Sequence, residues 1–133
     1  MSRIQVFFAT AAICIFTNCT SDRTAELSGY YFLRQAGPGL NDILGLSTGK
    51  DIPPNVLAYG YNDDFIKAVQ EPDNIDNAIY GPARTYPRGR DQQYYWLVCH
   101  KYSVVLGPMS KSEFEAAKTK YRVPSDIPIN PIN

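Results

Sequence analysis

Few side chains in this 133-residue chain are of the types that do chemistry. His100 is the only histidine, and it follows Cys99 directly. Neighbouring residues on a strand point to opposite faces, so Cys99-His100 is not a metal-ligand spacing. Three cysteines in all leave no Cys-rich zinc pattern. Any Ser-His-Asp arrangement would have to use His100, which has no flanking acid. The fold would have to bring a distant acid and a hydroxyl to it. Asp63-Asp64 is expected to be a hairpin turn, and Asp73 with Asp76 solvated loop charge. The stretch 73–77 offers oxygen ligands to a hard cation, yet it lacks the glycine and distal glutamate of a calcium loop. Gly45-Leu46-Ser47-Thr48-Gly49-Lys50 is one residue short of a phosphate loop, with Asp51 where a Ser or Thr must reach magnesium. It is expected to be a plain glycine-rich loop. No catalytic residue, metal or cofactor is assigned.

Aromatic side chains are the more promising set. Tyr30, Tyr31, Tyr59, Tyr61, Tyr94, Tyr95 and Trp96 fall on predicted strands, where packing alone favours them. Alternation still turns some outward, and exposed Tyr and Trp suit interaction surfaces. Tyr80, Arg84, Tyr86, Arg88 and Arg90 cluster in a loop and form the candidate interaction patch.

At the N-terminus, Arg3 precedes an apolar run over residues 4–16. Its 13 residues fall short of the roughly 20 that a spanning helix needs, so residues 1–18 read as an export signal. Thr17-Asn18 leads to Cys19, the expected lipidation site, with Phe16-Thr17-Asn18 as a loose form of the lipoprotein cleavage motif. Acylation there would anchor the chain to a membrane of the bacterial cell envelope, facing the periplasm or the surface. Removing residues 1–18 leaves 115 residues and takes Arg3 away, so 12 basic residues would face 13 acidic ones, from 13 of each in the whole chain. A near-neutral chain lacks the basic stripe that nucleic acid requires. Cys99 becomes the sole internal thiol and is expected in the core.

These side chains need a scaffold. Residues 19–26 read as a polar tether, 27–124 as one globular domain, and 125–133 as a loosely ordered tail. The aromatic run from Gly29 to Leu33 is the first expected strand, and residues 41–46 are compatible with a helical turn. Strands at Val56–Tyr61 and Phe65–Gln70 are joined by the turn residues Asn62-Asp63-Asp64. The stretch 71–92, rich in Pro, Gly, Asn and Asp, reads as a long surface loop. A strand over 94–100 places Tyr95, Leu97 and Cys99 on one face and Tyr94, Trp96 and Val98 on the other. A turn near Lys101 leads to a strand over 103–106. Ser110 and Glu113 form a capping box, and Met109 with Phe114 a hydrophobic staple, opening a helix over 111–121. Val123-Pro124 ends it. The fold class expected is α+β: a small antiparallel sheet of about five strands with the C-terminal helix packed on one face.

The ordered set Gly29-Tyr30-Tyr31, Tyr59-Gly60-Tyr61-Asn62, Tyr94-Tyr95-Trp96-Leu97-Val98, Gly107-Pro108, Glu113-Phe114 and Val123-Pro124 resembles an uncharacterised family of small bacterial lipoproteins. This is the domain-of-unknown-function family numbered 3997, over about residues 27–127. The resemblance implies an envelope lipoprotein and no particular activity. A second likeness, to GYF-type peptide-binding modules, covers residues 94–121. The functional expectation is a non-enzymatic binding module for an envelope protein or glycan partner, with a small hydrolase or inhibitor-type lipoprotein as the alternative. His100 gathered in a cleft with an acid and a hydroxyl would favour the hydrolase.

Overall fold

The computed structural model describes residues 23–72 and 86–132. Its elements are β1 (Arg23–Glu26), β2 (Tyr31–Gln35), β3 (Asn41–Gly45), β4 (Val56–Tyr61), β5 (Phe65–Gln70), β6 (Tyr94–Cys99), β7 (Val104–Met109), the helix α1 (Lys111–Lys120) and β8 (Asn130–Pro131). They form two antiparallel sheets, one ordered β1-β2-β3 and one ordered β7-β6-β5-β4-β8. The α+β class and the C-terminal helix packed on an antiparallel sheet are as the sequence predicts. The strand expected at Gly29–Leu33 lies instead, as Tyr31–Gln35, in the small sheet, and β8 takes the fifth place in the large one. The second sheet is an addition.

The central strands carry apolar side chains on both faces, and period-2 alternation sorts them. On one face, Ile66, Ala68, Trp96 and Val98 join Leu27, Tyr31, Leu33, Ile43 and Ile52 in a core between the two sheets. On the other, Phe65, Leu97 and Cys99 join Met109, Phe114 and Ile127 under α1. The molecule is therefore three layers: small sheet, large sheet, helix. Both faces expected for the sixth strand are realised, with Cys99 buried and free. Trp96 Nε1 donates to Gln70 Oε1 at 2.7 Å, and Gln70 Nε2 donates to the Pro54 carbonyl at 2.6 Å. The deepest polar atoms in the inter-sheet core are thus satisfied.

Ser110 Oγ accepts from the Glu113 amide at 3.1 Å, and the Ser110 amide donates to Glu113 Oε1 at 2.9 Å. This is the reciprocal cap read from the sequence, and it leaves Met109 and Phe114 in one core.

Three stretches differ from expectation. Residues 41–46 do not make a helical turn; Asn41–Gly45 is strand β3. Asp42 is fully buried there because Arg34, directly opposite on β2, donates to both of its carboxylate oxygens. Arg23–Glu26, read as the end of a tether, is the edge strand β1 paired along β2. The stretch after 124, expected to be loose, is stitched down. Ile127 is buried, β8 pairs with β4, and the Ile132 amide donates to the Leu57 carbonyl at 2.9 Å. Gly60 makes room for that crossing: any Cβ there would collide with the Pro128 carbonyl oxygen.

Candidate functional site

The hairpin between β6 and β7 turns through a short 3₁₀ segment, His100–Tyr102, and a left-handed residue, Ser103, at φ +50°. The Ser103 amide closes the turn on the His100 carbonyl at 3.1 Å, and the His100 amide donates to the Asp64 carbonyl at 3.0 Å. Asp64 in turn is fixed by Asn62, whose Oδ1 accepts from the Asp64 and Phe65 amides, both at 2.8 Å. The Asp63-Asp64 pair is accordingly a hairpin turn, with the backbone of Asp64 held at both ends. Two recesses flank the His100–Ser103 turn.

Behind it lies a pocket of about 200 Å³ lined by Tyr31, Ser47, Thr48, His100 and Ser103 among others. The His100 ring packs on Gly29, where φ is +63° and a Cβ would run into the imidazole. Ser28 Oγ and His100 Nε2 share a hydrogen bond of 2.9 Å. Burial pushes the His100 pKa down, with the Asp64 charge opposing. A hydroxyl and the imidazole therefore do meet. The Nδ1 side of the ring, however, lies against Gly29, where a hydrolytic triad would place an orienting carboxylate. Asp64 touches His100 through its main chain, and its charge acts on the ring only at longer range. The Ser28–His100 bond thus ties the β1–β2 hairpin to the large sheet. The glycine-rich 45–50 stretch is a turn beside this pocket. Asp51 Oδ1 accepts from the Gly45 amide at 2.8 Å, and Lys50 Nζ donates to the Ser103 carbonyl at 3.2 Å.

In front of the turn opens a larger cleft of about 680 Å³, lined by Asp64, Phe65, Cys99, Lys101, Tyr102, Lys120, Tyr121 and Arg122. Its walls come from distant stretches: the 3₁₀ turn supplies Lys101 and Tyr102, and the end of α1 supplies Lys120, Tyr121 and Arg122. The two tyrosine rings lie 5.8 Å apart and tilted by 56°. Lys101 Nζ sits 5.4 Å from the centre of the Tyr102 ring, and Lys120 Nζ sits 5.5 Å from that of Tyr121. Tyr102 remains 54% exposed. Three cations face one carboxylate in a chain of zero net charge. The lysines are held by ring faces, which limits the side-chain freedom that a bound anion would otherwise have to freeze.

The patch predicted in the 80–90 loop lies elsewhere. Tyr80 and Arg84 fall outside the described residues, as do Cys19, residues 1–18 and the 73–77 stretch. Tyr86 is half-buried: its hydroxyl accepts from Gln70 Nε2 at 2.9 Å, and its ring lies 5.2 Å from that of Tyr94. Arg88 stacks over Tyr94 at 4.8 Å and Arg90 over Tyr86 at 5.4 Å. These three residues do come together, but as a tier resting on the inter-sheet core. Among the described residues no group of three or more His, Cys, Asp or Glu could hold a metal ion.

None of the cleft's cations was among the sequence-predicted site residues. Lys120 and Arg122 at a helix end read locally as charges complementing the helix dipole. Only the tertiary arrangement sets them across from Lys101 and Tyr102.

The family model described as protein of unknown function DUF3997 matches residues 41–133 of the chain. No curated protein and no solved structure matches it.

Proposed function

The chain belongs to the DUF3997 family, and we propose that it is a lipid-anchored binding module of the bacterial cell envelope whose ligand carries negative charge. The observation that carries this reading is the cleft beside the His100–Ser103 turn, with three cations and two tyrosines around about 680 Å³. A mouth of that size suits a ligand. Its sign is opposite to the slight negative excess of the chain without residues 1–18, so charge attracts an anion here specifically.

The anchor fits this placement. Attachment at Cys19 would reach the domain through Arg23, at the end of the β1–β2 hairpin remote from His100. β1 leads from Arg23 toward Ser28, whose hydroxyl meets His100, so an anchor at Cys19 would join the domain at the end opposite the His100–Ser103 turn. Tyr86, Arg88 and Arg90 offer a separate surface for a protein partner.

Binding is favoured over hydrolysis because, among the described residues, the Nδ1 side of the His100 ring meets Gly29 and not a carboxylate. The test is a calorimetric titration of the full chain with two anionic probes, an oligogalacturonate and an oligoglutamate. Saturable binding to either is expected, at least tenfold weaker in a Lys101→Ala/Lys120→Ala/Arg122→Ala variant. No binding to either probe would overturn the reading. Anchoring is checked separately: labelled palmitate should enter the chain in bacteria and be absent from a Cys19→Ser variant.

A further inference from the structure

We propose that the ligand of the cleft is an acidic glycan, a carboxylate-bearing saccharide. This rests on reading the cleft as an anion site and narrows the ligand's class by three features of the lining.

The first is the aromatic wall. Tyr102 and Tyr121 present tilted rings, and more than half of Tyr102 is exposed. Tyrosine combines a flat apolar face with a hydroxyl at its rim, which matches the C–H face and hydroxyl edge of a sugar ring. The second is mixed charge. Lys101, Lys120 and Arg122 suit carboxylate substituents, while Asp64 brings a carboxylate of its own to the same cleft. A carboxylate can only accept hydrogen bonds, and a polyhydroxylated ligand supplies donors to it. Both ligands carry carboxylates, but a saccharide offers Asp64 several hydroxyl donors per ring, whereas an oligoacidic peptide offers only its backbone N–H groups. The third is the way the lining is built. Peptides are commonly read by adding a strand to a sheet edge or a helix to an apolar groove. This cleft is walled by a 3₁₀ turn, a hairpin turn and a helix end. Neither peptide mode fits it.

The roles divide accordingly. The three cations bind the ligand's carboxylates and set its orientation. The tyrosine rings stack on sugar faces, and Asp64 accepts from ring hydroxyls. The Asp64 backbone is held by Asn62 and His100, so an Asp64→Asn change alters the acceptor while keeping the turn.

The experiment titrates the full chain with three probes of equal length: oligogalacturonate, a neutral glucose oligomer and oligoglutamate. Oligogalacturonate is expected to bind at least tenfold more tightly than either of the others. Tyr102→Ala should weaken it at least fivefold while Tyr102→Phe, which keeps the ring, leaves it within twofold. Asp64→Asn should weaken the glycan and strengthen the peptide. Oligoglutamate binding as tightly as the glycan, or a glycan affinity indifferent to Tyr102→Ala, would overturn the glycan assignment while leaving an anion site standing. Equal binding of the neutral oligomer would overturn the acidic part of the assignment. Failure of both anions would remove the anion site itself.

Discussion

His100 holds a place at the centre of the molecule that its chemistry does not at first suggest. It is pinned by its amide to the Asp64 carbonyl and by its ring to Ser28. Burial lowers its pKa from 6.5, against the opposing pull of Asp64. The unfolded chain therefore binds a proton more readily than the folded one, and acidification works against the fold. The His100 contribution is fully present above pH 6.5 and is lost as pH falls through 6.5 toward the lowered folded value. Thermal unfolding midpoints measured from pH 7.5 to 5 should fall in that window. The fall should be smaller in a His100→Gln variant; an identical fall in both would contradict the assignment. Lys67 carries a similar sign. It is only 5% exposed on the helix side of the large sheet, and burial lowers its pKa, with Lys118 adding to the effect and Glu115 and Asp126 opposing it. Because a buried, poorly compensated charge costs stability, Lys67→Met should raise the unfolding midpoint near neutral pH. For the native chain, stability should rise with pH as 10.5 is approached. A lowered midpoint in Lys67→Met would show that the ammonium is better compensated than its surroundings indicate.

Among the elements, those with complete local signals were legible in the sequence. The limits of β4 and β5 follow from a hydrophobic run on each side of Asn62-Asp63-Asp64, and the faces of β6 follow from strict alternation. The start of α1 follows from one serine and one glutamate three residues apart. That cap is worth about 1 kcal/mol, so Ser110→Ala should lower the denaturation free energy by roughly that amount while the sheet signals stay unchanged. Elements whose burial depends on a distant partner were not legible. β3 is misread because Asp42 looks like a surface residue until Arg34 is set opposite it. The stretch after 124 is misread because its docking depends on the missing side chain of Gly60, nearly seventy positions earlier. Gly60→Ala should expel Pro128 from β4 and cost about 1–3 kcal/mol, the usual range for overpacking. Hydrogen exchange reads the effect locally: the Ile132 amide should lose protection while the β4–β5 ladder keeps it. An Ile132 amide that stays protected would show that the crossing adapts.

At the scale of the molecule, three layers leave one end of the large sheet free, and the hairpin turns collect there. The β4–β5 turn brings Asp64, the β6–β7 turn brings Lys101 and Tyr102, and the helix ends beside them with Lys120, Tyr121 and Arg122. No window of sequence contains that set, which is why the loop cluster at 80–90 stood out in its place. The described part of that cluster instead buttresses the inter-sheet core through Tyr86, Gln70 and Trp96. We place binding at this end of the sheet. Amide chemical shifts of the full chain, followed by NMR during titration with oligogalacturonate, report on it residue by residue. Saturable shifts at Asp64, Lys101, Tyr102 and residues 120–122, with residues 86–90 unmoved, are the expected result. Shifts confined to residues 86–90, or none at saturating probe, would contradict it.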